Sequence, residues 1–237
     1  MDFLALGLIK NKGTDEMNTE IKVILPFEKK GEFFVEQLGE IEQKPVYDFV
    51  KRVFDVAVSF VALLILLIPM LIIGVIIKLS SKGPIFYSQE RLGFKGKKIN
   101  VIKFRTMYVD AEENGAQWSD GEEDERIFPF GKLLRKVRLD ELPQLWCILK
   151  GDMSIVGPRP ERECFHKEFE TYVHGFSERL KVKPGLTGHA QINGGYDLRP
   201  EEKVLFDVEY IKNRSLWFDL KIIFGTVKVI FTHDGAK

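Results

Sequence analysis

An uncharged apolar run extends from Val56 to Ile77, with Lys51 and Arg52 before it and Lys78 and Lys82 after it. At about 1.5 Å rise per residue, a straight helix of that length just crosses a hydrocarbon core of about 30 Å. A spanning helix leaves its Lys and Arg excess on one side of the membrane, yet here both flanks are cationic. Pro69 lies within the run. It removes a backbone donor and clashes with the preceding turn, so the pattern predicts a bend at Ile68-Pro69. Together these facts predict a segment that dips into one leaflet and returns to the face it left. A simple single span and a buried core helix also satisfy the length criterion. Carbonyls freed at the break need water or side-chain partners, because lipid offers none; Ser59 is too distant to serve.

Beyond this run the periodicity changes. Ile85 to Leu92 and Lys98 to Arg105 read as two strands joined through Gly93-Phe94-Lys95-Gly96, a hairpin. A two-residue period puts Ile99, Val101, Lys103 and Arg105 on one face, where two cations make either a solvated surface or an anion site. Asp110 to Glu125 is an acidic loop with Asn114-Gly115 and Asp120-Gly121. Gly131 to Leu139 predicts a basic amphipathic helix with Lys132, Arg135 and Lys136 opposite Leu133, Leu134 and Val137. The chain restarts as a helix at Asp140, with Pro143 in its first turn and Leu142, Leu145, Trp146 and Leu149 on its apolar side. It ends at Lys150-Gly151.

Ser154 to Pro160 is an extended stretch stiffened by two prolines. Glu161 to Leu180 is expected to be helical, Lys183 to Gly195 a glycine-rich loop, and Pro200 to about Lys212 a helix. In the loop, Gln191, Asn193 and Gly194-Gly195-Tyr196 are as well explained by a plain turn as by a site. Leu216 to Phe231 is either a core helix or a second helix in the membrane interface. The expected fold is α+β and mainly helical: an extension over 1–45, a re-entrant membrane helix over 46–82, and a small globular domain with a β-hairpin and interfacial amphipathic helices over 83–237. The extension carries short apolar clusters (Phe3-Leu4, Val23-Ile24-Leu25, Phe33-Phe34-Val35) and no recognisable chemistry.

Composition narrows the function classes. The 237 residues balance 35 Lys and Arg against 35 Asp and Glu, so no global charge points to nucleic acid. Cys147 and Cys164 lack ligand-like spacing and suit a reducing compartment. The four histidines form no pair at zinc-binding spacing. No signal peptide is expected, since the apolar run starts too far in and lacks a small-residue cleavage site. The globular part is therefore expected to stay in the cytoplasm against the inner membrane.

Asp140-Glu141 is the candidate chemical centre. An Asp is a favoured N-cap and a Glu in the first turn complements the helix dipole, so a structural role explains the pair as it stands. Arg135, Arg138 and Arg159 surround it with more cations than a cap requires. A helix N-terminus is an anion site and keeps a carboxylate ionised. Beside a phosphate and a hard divalent cation, such a carboxylate is a plausible nucleophile for phosphoryl transfer.

Four motifs occur in order: Lys103-Phe104-Arg105-Thr106-Met107; Leu139-Asp140-Glu141-Leu142-Pro143-Gln144; Gly151-Asp152-Met153-Ser154 with Gly157-Pro158-Arg159-Pro160; and Lys183-Pro184-Gly185-Leu186-Thr187-Gly188. From about Lys51 to Phe231 the chain resembles the bacterial sugar transferases, monotopic phosphoglycosyl transferases acting on polyprenyl phosphate. The resemblance implies that Asp140 is the nucleophile and Glu141 its partner, both associated with Mg²⁺. It implies a nucleotide-diphosphate sugar as donor, uridine being the usual base, and undecaprenyl phosphate as acceptor. The product would be a polyprenyl-diphosphate sugar made at the inner membrane for exopolysaccharide, lipopolysaccharide or capsule, and passed to downstream glycosyltransferases. Arg135 and Arg159 match basic motif positions, with Lys103 and Arg105 as weaker phosphate-binding candidates, and Pro69 matches a helix-breaking proline. Without the resemblance, a non-catalytic single-span anchor with an anion- or partner-binding domain also fits.

Overall fold

The computed structural model describes residues 8–10, 25, 27–29, 31–112, 124–195 and 197–232. The expected turns at Asn114-Gly115 and Asp120-Gly121, the clusters Phe3-Leu4 and Val23-Ile24, and Tyr196 lie outside them.

Helix α1 (Pro45–Ser80) starts on a proline and buries Asp55, Ser59, Ile73, Gly74 and Ile77. With the half-buried Ala62, Leu63, Leu66 and Met70 these positions form one stripe at helical spacing. The other faces are apolar and exposed, from Phe49 through Ile65 and Ile68 to Leu79. By length and composition α1 could cross a membrane, and only 17% of its most apolar window is buried. It is a membrane-associating element. Pro69 lies inside it, and the helix runs on through the proline. Helical backbone continues on both sides of it, so the bend expected at Ile68-Pro69 does not take the chain out of the helix. Both ends of α1 nonetheless rest on the same body. Arg52 donates to the carbonyls of Ile148 and Leu149 and Asp55 accepts from the Ile155 amide, while Ile73 and Ile77 pack with Phe104, Phe128 and Leu134.

The hairpin is as expected: β3 (Phe86–Leu92) pairs antiparallel with β4 (Lys98–Phe104) through a short 3₁₀ turn. The strand β1 (Leu8–Lys10) adds in parallel to β3. Helix α2 (Pro129–Lys136) buries Leu134 but leaves Leu133 exposed. The 3₁₀ turn Leu139–Glu141 precedes α3 (Gln144–Lys150), whose core face is Gln144, Leu145, Cys147 and Ile148. Trp146, assigned to the apolar side, is exposed.

The stretch from Ser154 becomes β5 (Ser154–Val156), paired in parallel with β7 (Gly185–Thr187) from the expected glycine-rich loop. Glycines permit this crossing. A Cβ on Gly185 would lie 2.1 Å from the Gly157 nitrogen, and one on Gly157 would lie 2.3 Å from the Lys183 carbonyl oxygen. The long helix expected over Glu161 to Leu180 is instead three pieces: α4 (Glu163–Glu170), β6 (Val173–His174) and a 3₁₀ segment Phe176–Lys181. Gly175, in the left-handed region at φ 92°, marks the break. Residues 31–44, just before α1, are not a loose tail. Strand β2 (Phe33–Phe34) pairs with β6, Val35 is buried, and Lys181 donates to the Gly39 carbonyl.

Short α5 (His189–Ile192) and α6 (Pro200–Asn213) lead to α7 (Leu216–Thr232). Helix α7 has one face in the core and one face exposed. Ile222 is fully buried in the core, while Trp217, Leu220, Phe224 and Val227 are exposed. Its buried Asp219 accepts from Tyr47, Lys51 and Tyr210, tying the start of α1 to α6 and α7. Helix makes up 54% of the structure, so the α+β, mainly helical expectation holds.

Candidate active site

A cavity of about 220 Å³ opens between the hairpin, α2, the 3₁₀ turn and the Arg159 segment. Nine cations contribute to its lining (Arg91, Lys103, Arg105, Arg126, Arg135, Arg138, Arg159, Arg162 and Lys203) against three acids, Glu112, Asp140 and Glu161. Such an excess suits a polyanionic ligand carrying phosphates.

Asp140 forms part of the wall and is buried. It is not the N-cap of α3, which begins four residues later behind Pro143. The expected cap is therefore replaced by a 3₁₀ turn entered through Arg138 at φ 57°. A left-handed arginine is uncommon; here it reverses the chain so that Arg138 and Asp140 both line one cavity. Burial raises the Asp140 pKa above the ordinary carboxylate value, with Glu141 adding to the rise and Lys103, Arg135 and Arg159 opposing it. Asp140 is therefore harder to ionise than the carboxylate expected at a helix N-terminus.

Glu141 is not among the residues that line the cavity, and it is clamped by two that do. Lys103 Nζ lies 2.9 Å from its Oε1, and Arg159 Nη2 lies 2.6 Å from the same oxygen. Burial alone would raise its pKa, but Arg159 and Lys103 outweigh that and hold it well below the usual carboxylate range. Lys103 reaches Glu141 because it shares the core-facing side of β4 with Ile99 and Val101. Its salt bridge makes it a brace for Glu141 at the cavity wall.

Arg105 departs from expectation. The strand ends at Phe104, and the Arg105 guanidinium turns to the Pro84 and Ser81 carbonyls at 2.6 and 2.9 Å and to Ser81 Oγ at 2.8 Å. Burial pushes its pKa down. Its donors hold the chain leaving α1, so Arg105 is a structural residue at the cavity edge. Arg135 and Arg159 both line the cavity as expected. Arg159 is held through its carbonyl by Arg179, which is itself paired with Asp207 at 2.7 Å. The remaining cations, Arg91, Arg126, Arg162 and Lys203, were missed because they lie up to 112 residues apart in the chain. Gln191 and Gly195 also line the cavity, so their loop does more than turn.

Magnesium binds through one or two carboxylates plus substrate phosphates and water. Asp140 and Glu141 supply that number, although both Glu141 oxygens already meet cations. Among the described residues no cluster of three acids, histidines or cysteines forms a metal cage. The donor set fits an ion that arrives with a diphosphate rather than one held by protein alone.

A buried acidic pair, of which Asp140 lines a cationic cavity, together with a membrane-associating helix is the arrangement of a membrane-associated domain with a site suited to anions. The family model for bacterial sugar transferases matches residues 46–233, and the chain belongs to that family. It is 40% identical over 205 residues to UDP-N-acetylgalactosamine-undecaprenyl-phosphate N-acetylgalactosaminephosphotransferase of Aeromonas hydrophila, covering 85% of this chain and 48% of that protein. With UDP-glucose:undecaprenyl-phosphate glucose-1-phosphate transferase of Escherichia coli K12 it is 38% identical over 215 residues, covering 85% and 46%. The exopolysaccharide production protein ExoY of Rhizobium meliloti is 37% identical over 218 residues, covering 86% of this chain and 94% of ExoY. The chain thus spans about half the length of the first two relatives and nearly all of the third.

Proposed function

We propose that this protein transfers a sugar-1-phosphate from a nucleotide-diphosphate sugar, a UDP-sugar by analogy with its relatives, to undecaprenyl phosphate at the inner membrane, with its globular domain in the cytoplasm. The observation that carries this is Asp140 in the wall of a cavity lined by Lys103, Arg135, Arg138 and Arg159. In the proposed first step an Asp140 carboxylate oxygen bonds to the sugar-bearing phosphorus, and the bridging bond to the nucleoside monophosphate breaks. An oxygen of the polyprenyl phosphate then bonds to that phosphorus and the carboxylate leaves. Nucleoside monophosphate and polyprenyl-diphosphate sugar are the products, the latter a substrate for downstream glycosyltransferases of exopolysaccharide or related glycans. Cavity cations offset the developing charge, and a magnesium held by Asp140 and Glu141 would add to that neutralisation. Glu141, fixed by Lys103 and Arg159, sets the position of Asp140.

The same charge pattern on both flanks of α1, and the seating of both its ends on one body, favour a helix that enters and returns on the cytoplasmic side. Incubating the protein with sugar-labelled donor and no lipid tests the chemistry. Label should be retained on the protein and lost in Asp140→Asn, with turnover falling by about 10³-fold or more. Direct attack by the acceptor, with the carboxylates only holding magnesium, predicts no label and no nucleoside monophosphate until lipid is added.

A further inference from the structure

The cavity receives no side chain from α1 or α3 among the described residues, yet α1 is the membrane-associating element and packs along α3. Asp140 therefore separates two surfaces of opposite character. On one side lies the cationic cavity. On the other, Leu139, Leu142, Trp146 and Leu149 recur at helical spacing through the 3₁₀ turn and α3, opposite the core face of Leu145, Cys147 and Ile148. Leu139 is 37% exposed and Trp146 52% exposed, with Leu133 of α2 54% exposed nearby in the chain. Leu142 joins the cluster containing Ile73 and Ile77 of α1, and Arg52 of α1 holds the Leu149 carbonyl. The stripe is thus continuous with the surface of α1, whose outward side chains are apolar and exposed.

We infer that Leu139, Trp146 and Leu133 form the track along which the isoprenoid chain of the polyprenyl phosphate acceptor lies while its phosphate reaches Asp140. The inference rests on the proposed function. A long isoprenoid must stay in an apolar medium, because exposing it to water is unfavourable by about 0.8 kcal/mol per CH₂. The cavity, at about 220 Å³ and with nine cations in its lining, is too small and too charged to take it. Leu139 immediately precedes the reacting carboxylate, so a chain on this track ends with its phosphate beside Asp140. Trp146 suits the lipid boundary, where an indole buries its ring and keeps its N–H wet. Exposed Lys132 and Lys136 flank Leu133 on α2 and favour the approach of the acceptor's anionic head.

The test compares Trp146→Ala and Leu133→Ala with the unmodified protein in lipid nanodiscs, using a long-chain polyprenyl phosphate and geranyl phosphate as alternative acceptors. Leu205→Ala, an exposed leucine on α6, is the control. Trp146→Ala should raise KM for the long-chain acceptor roughly tenfold, with a smaller rise for geranyl phosphate and an unaltered KM for the donor. Equal shifts for both acceptors, or none, would overturn the track. So would weaker vesicle binding without chain-length dependence, which assigns the stripe to bulk lipid, or loss of a dimer alone, which assigns it to a second copy. Should the unmodified protein release no nucleoside monophosphate with either acceptor, the proposed function itself fails.

Discussion

Glu141 and Arg105 show how the same residue types divide between bracing and chemistry. Glu141 compensates two cations at once, so Glu141→Gln leaves Lys103 and Arg159 facing a neutral amide in a buried site. The expected loss is about 3–5 kcal/mol of stability, read from the denaturant midpoint. Adding Lys103→Met should recover part of it, since the two residues are in direct contact. Arg105→Met removes donors from the Ser81 and Pro84 carbonyls. It should lower stability by about 2–4 kcal/mol with little change in donor KM. Sequence alternation correctly aimed Lys103 at the centre. It could not see that the strand stops one residue before Arg105, because strand ends are decided by what the next residue bonds.

At the scale of elements, the segment that carries Arg159 is held by a glycine crossing and by α1. Gly185→Ala places a methyl group against the Gly157 nitrogen and should destabilise by about 3 kcal/mol or more, moving Arg159 with it. Asp55 on α1 accepts the Ile155 amide of β5. Asp55→Ala orphans that buried donor at about 1–3 kcal/mol, and hydrogen exchange at the Ile155 amide should accelerate more than at other core amides. The prolines and glycines of both segments were legible as an extended stretch and a loop. Their pairing as β5 and β7 was not, since a parallel two-stranded contact across about thirty residues leaves no local periodicity.

For the whole molecule, the seating of both ends of α1 on one body predicts equal labelling from the same side of the membrane. Single cysteines at Gln43 and Lys82, with Cys147 and Cys164 replaced by serine, should react alike with an impermeant reagent in intact cells; opposite reactivity would support a simple span. Acid sensitivity is also a property of the assembled domain. Burial, with Arg179 beside it, holds His166 below the ordinary imidazole value against the pull of Glu170. As pH falls below about 6.5 the unfolded chain takes up this proton before the folded one, so stability is lost on the acid side. His166→Gln should flatten the fall in Tm between about pH 7 and pH 5.

The sequence alone determined the membrane-associating helix, the hairpin, the mainly helical α+β class and the ordered motifs around Asp140. All of these depend on local composition, periodicity or residue order. Only the tertiary structure decided that Glu141 is clamped while Asp140 lines the cavity, that Arg105 is structural, and that residues 31–44 pack on the domain. Those outcomes depend on which distant side chains share a buried space, where desolvation makes charge compensation compulsory. Neighbours along the chain carry no record of it.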